Sequence, residues 1–279
     1  MDIVLQGPAD DFTVEIAKHY LQSSNINKVI ISCYDTCNIS NDNGKNIIVS
    51  RISDVEWRGV GNVNRQIATS LNGLKLVSTE KSAKMRSDQM VHIDDINKMK
   101  NFMESNIQCK IKFTNGSGPM GSIFVHGMTK RFPFHPRDHI YWGYTQDLIT
   151  LFDIPYNKEK PSEMDSGFPS NPDQEFINYV RAESYVGMHY YAKFNEKIKE
   201  YIKNPPKYLN VSERETAPNI DETWNEYLPI RDEVMKTFSR AMMRWPKYQL
   251  NEWQFPGKIC NSEFYHNEAI YGHHGKVFV

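Results

Sequence analysis

The sequence predicts an α/β fold, a mostly parallel central sheet flanked by helices with a helical region at its C-terminal side. Three observations predict it. Short, wholly apolar runs such as Val29-Ile30-Ile31 read as strands covered on both faces. They alternate with helix-length segments whose apolar residues recur at the helical period. Beyond residue 158 the strand-like runs give way to two long helical patterns.

Each element follows in order. Ile3-Val4-Leu5 is a first strand that ends at Gln6-Gly7-Pro8. Asp10 or Asp11 caps a helix with Val14, Ala17 and Leu21 on one face. Lys28 to Ser32 and Asn46 to Ser50 are the second and third strands. Asn62 to Asn72 is a helix closed by Gly73. Ser82 to Arg86 is a strand, and Asp94 to Ser105 a further helix. The order β-α-β-β-α-β-α calls for crossover helices and hence for parallel pairing.

Downstream, Ser122 to His126 reads as a strand and Lys130 to Tyr144 as a long aromatic, charged loop. Asp147 to Phe152 is a short helix before Pro155. The Pro-, Ser- and Gly-rich stretch from Lys158 to Asp173 marks a boundary. It divides an α/β core, 1–157, from a mainly helical region, 158–279, packed on it; one continuous domain is the alternative. Helices are expected at Gln174 to Lys203 and Glu222 to Arg244.

The 279 residues carry a net charge of −1, which leaves no broad basic field and argues against nucleic acid as a partner. Of the four cysteines, Cys33 and Cys37 form a lone C-x3-C without the second pair of a zinc site, so free thiols in a reducing compartment are expected. No apolar run reaches the length of a membrane span, and Met1 to Pro8 is too short for a signal core. The expected location is cytoplasmic.

Strand ends carry the candidate chemistry. In an open parallel sheet, ligands bind beyond the carboxyl ends of the strands. Gly7 permits close backbone approach there, and the Gln6 side chain can read a base or ribose; a plain turn at Gly7-Pro8 is the competing reading. Asn64, Arg65 and Gln66 open a helix, where phosphate is favoured, although charged residues at such a place are commonly just solvated. Arg86 and Asp88 flank Ser87 at the tip of a strand, and an Arg beside an Asp suits a metal–diphosphate. Pro133 to His139 packs two His, an Arg and an Asp together. Asp138 or His135 there is placed to act as a general base. Phe132, Phe134, Tyr141 and Trp142 around them are of the kind that stacks on sugars, and Glu183, among apolar neighbours, is either an inward-facing carboxyl or an Arg partner. Lys193, Lys197, Lys199 and Lys203 give one helix a basic side that suits an anionic membrane face, against the plainer reading of a solvated surface.

The chain resembles the WavE lipopolysaccharide-synthesis family. The resemblance rests on Ile3 to Pro8, Ile30-Ile31-Ser32, Asn64-Arg65-Gln66 with Leu71 and Gly73, Lys84 to Asp88, Phe134 to Asp138, Gly143 and Asp147-Leu148, and spans roughly residues 1 to 190. It implies a GT-A-like glycosyltransferase of surface-polysaccharide assembly, cytoplasmic or at the inner face of the membrane. The donor would be a nucleotide-sugar and the acceptor a glycan or lipid-linked glycan. Donor-binding positions would be Gln6, Gly7, Pro8, Asn64, Arg65, Arg86 and Ser87. In such folds an Asp-x-Asp tip binds Mn2+ or Mg2+; here only Asp88 keeps that pattern, so the metal is expected on Asp88 or dispensed with. Asp138 would be the base, with Glu183 second and His135 a further candidate. A non-catalytic glycan- or nucleotide-binding subunit and a phosphotransferase are the rival readings.

Overall fold

The structure is a computed structural model that describes residues 1–40, 44–91, 93–105, 111–112, 119–120, 123–125, 136, 138–158, 182–194, 196–203, 242–244, 252–255 and 258–261. Its strands are β1 (Asp2–Gln6), β2 (Val29–Tyr34), β3 (Ile47–Ile52), β4 (Lys81–Arg86), β5 (Met90–Val91), β6 (Ile111–Lys112), β7 (Pro119–Met120), β8 (Ile123–Val125), β9 (Ile140–Tyr144), β10 (Met242–Arg244), β11 (Glu252–Phe255) and β12 (Lys258–Asn261). Its helices are α1 (Asp11–Tyr20), α2 (Val63–Lys75), α3 (Ile93–Ser105), α4 (Thr145–Phe152), α5 (Ala182–Ala192) and α6 (Glu196–Lys203).

The main sheet has seven strands in the order β10-β8-β9-β4-β1-β2-β3. β1 to β4 pair in parallel, while β9 runs antiparallel between β4 and β8. This is the mostly parallel sheet with flanking helices that the sequence predicts. Alternation along the strands builds two cores. Ile3, Leu5, Ile31, Met85 and Trp142 belong to one, with residues of α1 and α3. Val4, Ile30 and Tyr141 belong to the other, with residues of α2, α4 and α5. Each such aliphatic side chain, wholly removed from water, stabilises the fold by about 1.5–3 kcal/mol.

Local chemistry sets the helix ends. Asp10 accepts from the Thr13 amide at 3.1 Å while Thr13 Oγ1 accepts from the Asp10 amide at 3.2 Å, a reciprocal cap that starts α1. The Gly61 and Asn62 backbones are left-handed, at φ 59° and 62°, and turn the chain into α2.

Several expectations change. Gly73 does not close α2; the helix runs on to Lys75. A Cβ at Gly73 would collide with the Val4 side chain and lie 2.9 Å from Ser32 Cβ, so the glycine lets α2 lie close on the sheet. Ile140–Tyr144, expected inside a loop, is the buried strand β9. The charges that suggested a loop stop at His139, and Ile-Tyr-Trp-Gly-Tyr is a run with strong strand preference. Within the expected helix at 174–203, the described residues form two helices, α5 and α6. Met242–Arg244, placed at the end of a long helix, pairs in parallel with β8; the rest of that segment, 222–241, lies outside the described residues.

Candidate active site

The chain leaves β1 towards β2 through α1 and returns from β3 to β4 through α2, which packs on the opposite face. The sheet therefore reverses its winding between β1 and β4, and beyond the carboxyl ends of these strands lies the place at which open α/β sheets carry their ligand crevice. Two sequence motifs meet there, because Gln6 pairs with Arg86 in the β1–β4 register. The Ser87 amide donates to Gln6 O at 2.9 Å, the Ser87 hydroxyl donates to Pro8 O at 2.5 Å, and Thr13 Oγ1 donates to Ser87 O at 3.2 Å. Gly7 sits at φ 127°, a left-handed backbone, and a Cβ there would lie 2.9 Å from Ser87 Oγ. Ser87 thus ties the two strand ends together, and Gly7 keeps the joint open.

On the other side of β4, Arg86 holds two carboxylates. Its Nε and Nη2 donate to Asp88 Oδ1 and Oδ2 at 2.9 and 2.6 Å, and its Nη1 donates to Asp138 Oδ2 at 3.0 Å. These bonds use three of the five guanidinium N–H groups. The Arg86 side chain is 36% exposed. Burial works against the Arg86 charge, but Asp138 and Asp88 outweigh it and raise its proton affinity. Burial likewise pushes the Asp138 carboxyl up, yet Arg86, His139 and Lys84 hold it well below the usual carboxylate range. Asp88 is also lowered, with Arg86 overcoming the cost of burial.

Beneath this cluster lies Lys84, a residue to which the sequence motifs assign no role. It is wholly buried, its Nζ donates to Asp138 O at 3.0 Å, and the rings of Tyr141 and Phe152 lie 5.3 and 5.4 Å from the ammonium. Burial pulls its pKa down to about 8, aided by Arg86 and opposed by Asp138, Glu183 and Asp88. Glu183, in the first turn of α5, brings its charge to bear on Lys84 and Tyr141. Asp138, Arg86 and Asp88 are therefore assembled into one charged group, and Glu183 adds its charge from α5. His135 lies outside the described residues, as do Phe132 and Phe134. Tyr141 and Trp142, read as sugar-stacking groups, are instead fully buried in the two cores.

Asn64 and Arg65 stand apart, towards the end of β2. The Asn64 amide donates to Trp57 O and Asn157 O at 2.9 and 2.8 Å and accepts from the Asn157 amide at 2.6 Å, which fastens α2 to the segment after α4. Arg65 is paired through two contacts with Asp54 and lies 5.4 Å over the Tyr34 ring. Gln66, the next residue, is buried, and its Nε2 has no hydrogen-bond partner among the described residues. Of the lysines expected to form a basic face, Lys193 Nζ donates to Thr150 O at 2.8 Å, Lys199 and Lys203 pair with Glu196 and Glu200, and the Lys197 side chain lies outside the described residues.

Both oxygens of Asp88 already accept from Arg86, and among the described residues no group of three or more His, Cys, Asp or Glu side chains could hold a metal. Among the described residues, no helix is long and apolar enough to cross a membrane.

The fold defines an α/β protein whose sheet has a switch point between β1 and β4. A family model described as WavE lipopolysaccharide synthesis matches residues 28–228, and the chain belongs to that family. The match starts at the second strand and extends past residue 190, where the resemblance carried by the motifs ends. No curated protein matches the chain. Solved structures similar to it include Staphylococcus aureus TarS residues 1–349 (14% identity, 68% of this chain and 55% of that one, TM-score 0.38). Another is HddC from Yersinia pseudotuberculosis (15%, 60% and 86%, TM-score 0.32). A third is the galactosyltransferase LgtC in complex with donor and acceptor sugar analogues (11%, 53% and 59%, TM-score 0.32).

Proposed function

We propose that the protein is a GT-A-like glycosyltransferase that moves a sugar from a nucleoside-diphosphate donor to a hydroxyl of a surface polysaccharide or lipopolysaccharide. One observation carries this reading: the Gln6-Gly7-Pro8 end of β1 and the Arg86-Ser87-Asp88 end of β4 lie side by side at the switch point, and Arg86 there uses three of its five N–H groups. Family membership supplies the setting, the making of lipopolysaccharide.

In the proposed reaction the bond from the anomeric carbon to the diphosphate oxygen breaks, and the diphosphate leaves with the electron pair. The acceptor oxygen bonds to that carbon and gives up its proton. Arg86 stabilises the charge growing on the leaving diphosphate, and no step is routed through a metal. Gly7 and Pro8 let the donor approach the backbone, with Gln6 and Ser87 shaping that wall. Asn64 and Arg65 act at one remove, by fixing the start of α2. A general base works best with a pKa near the working pH. The Arg86 pairing takes Asp138 far from that condition, so Asp138 holds Arg86 and Glu183 takes the acceptor proton. The site acts in the cytoplasm, where nucleotide-sugars are at hand.

A panel of nucleotides and nucleotide-sugars, screened by thermal shift and by product analysis, tests the reading. A bound donor at a hundred times its Kd adds about 2.7 kcal/mol of stability. Glu183→Gln is expected to cut sugar transfer by about 10²–10⁴-fold with the donor-induced shift intact. Transfer of phosphate instead of sugar would establish the phosphotransferase reading. Binding without turnover, unaffected by Glu183→Gln, would establish the binding-subunit reading. No stabilisation by any nucleotide or nucleotide-sugar would sink the transferase reading.

A further inference from the structure

A lysine with no exposed surface, set between two aromatic rings, is a costly thing to bury. Lys84 is also on the same face of β4 as Arg86, two residues along. Its single strong hydrogen bond goes to the main-chain oxygen of Asp138, the residue whose carboxylate clamps Arg86. The result is a row of alternating charge, Lys84, Asp138, Arg86 and Asp88, running from the core to the crevice.

We propose that Lys84 is a positioning residue, which holds Asp138 from below so that Arg86 is presented to the donor diphosphate in one fixed geometry. Packing alone does not account for it. An apolar side chain of similar volume would fill the same cage, and replacing buried ions by apolar groups is often neutral or stabilising. The ammonium fixes the short segment before β9 at the one point where that segment supplies a ligand to Arg86. Its neighbours suit it to this role, since Asp138 and Glu183 draw the charge towards the site while Tyr141 and Phe152 keep water away from it. Asp88, Arg86 and His139 are the other charged or titratable groups facing the cluster.

The proposal rests on the transfer reaction proposed above, and the test keeps the two apart. Lys84→Met and Lys84→Gln are made in the full chain. The Gln variant still has a donor for Asp138 O, so it carries the test should the Met variant fail to fold. The expected result is kcat lowered about tenfold or more, KM changed less than threefold, and a melting temperature equal to or above that of the unaltered protein. Unchanged kcat in both variants would overturn the proposal. So would a joint fall in melting temperature and in donor-induced stabilisation, since that is the behaviour of a purely structural residue. Carbon-13 detection of the aspartate carboxyls supplies a readout that needs no substrate. The Asp138 signal is expected to titrate at higher pH in Lys84→Met. If the unaltered protein transfers no sugar, the function reading fails alone, and an Asp138 titration identical in both proteins overturns the Lys84 proposal independently.

Discussion

Arg86 is held by three charge-assisted hydrogen bonds, and its planar fork explains why the position suits arginine. Lysine could satisfy only part of this, since its ammonium is a point charge without the fork that spans both Asp88 oxygens. Arg86→Lys is therefore expected to lower kcat/KM for the donor by roughly 10–100-fold, on the order of 1.5–3 kcal/mol per charged hydrogen bond lost. Steady-state kinetics check this, and activity within threefold of the unaltered protein would refute it. The same residues show how far the sequence can be read at this scale. Alternation along a strand places Arg86 and Asp88 on one side and Ser87 on the other, and the hydrogen bonds follow that division. Lys84 shares Arg86's parity, so it too faces the site, yet nothing in a single sequence tells an ammonium at a strand centre from one at an edge. Asn64 and Arg65 are visible as polar residues at a helix start, while their partners, Asp54, Trp57 and Asn157, come from loops that no local pattern predicts.

Among the elements, α2 is the one whose seating on the sheet depends on a single glycine. It reaches the sheet through Gly73, where Val4 and Ser32 leave no room for a side chain. Two effects compete in Gly73→Ala. Alanine is the better helix former by about 1 kcal/mol, whereas overpacking costs about 1–3 kcal/mol. The collision involves a core strand, so overpacking is expected to win, leaving a net loss of about 1–2 kcal/mol in urea unfolding. A gain in stability would show that α2 moves freely on the sheet. Glycine at this position reads in the sequence as a helix stop, because a glycine needed for close approach and a glycine needed for a left-handed turn look alike. β9 is hidden for a related reason: its aromatic run directly follows a charged one, and a strand set antiparallel between two others has no turn signal of its own.

For the whole molecule, the buried charges link stability to pH. Lys84 has a folded-state pKa lowered from 10.5 to about 8, so between these values the folded chain binds fewer protons than the unfolded one. Stability from this group is expected to rise with pH across that window, by up to about 3 kcal/mol. Asp138 and Asp88 act at the other end. Their carboxyls are lowered in the folded state, so their contribution is complete above the ordinary value of 3.8 and is lost as the pH falls below it. Urea unfolding from acid to pH 10 measures both limbs. The upper limb should vanish in Lys84→Met, and its persistence there would assign it to another group.

The sequence by itself determined the class of the fold, the order of its first elements and the strand ends at which chemistry is placed. These follow from local periodicity and from residue types that each element requires, and the chain's family was readable in the same motifs. Only the tertiary structure decided which of those motifs meet. Register brings Gln6 beside Arg86, and an antiparallel strand brings Asp138 onto Arg86 across 52 positions of sequence. The structure alone sets the proton affinities as well, because burial and charged neighbours are properties of a packed arrangement. Asp88, expected at a strand tip as a metal ligand, is drawn into an ion pair with Arg86 for that reason.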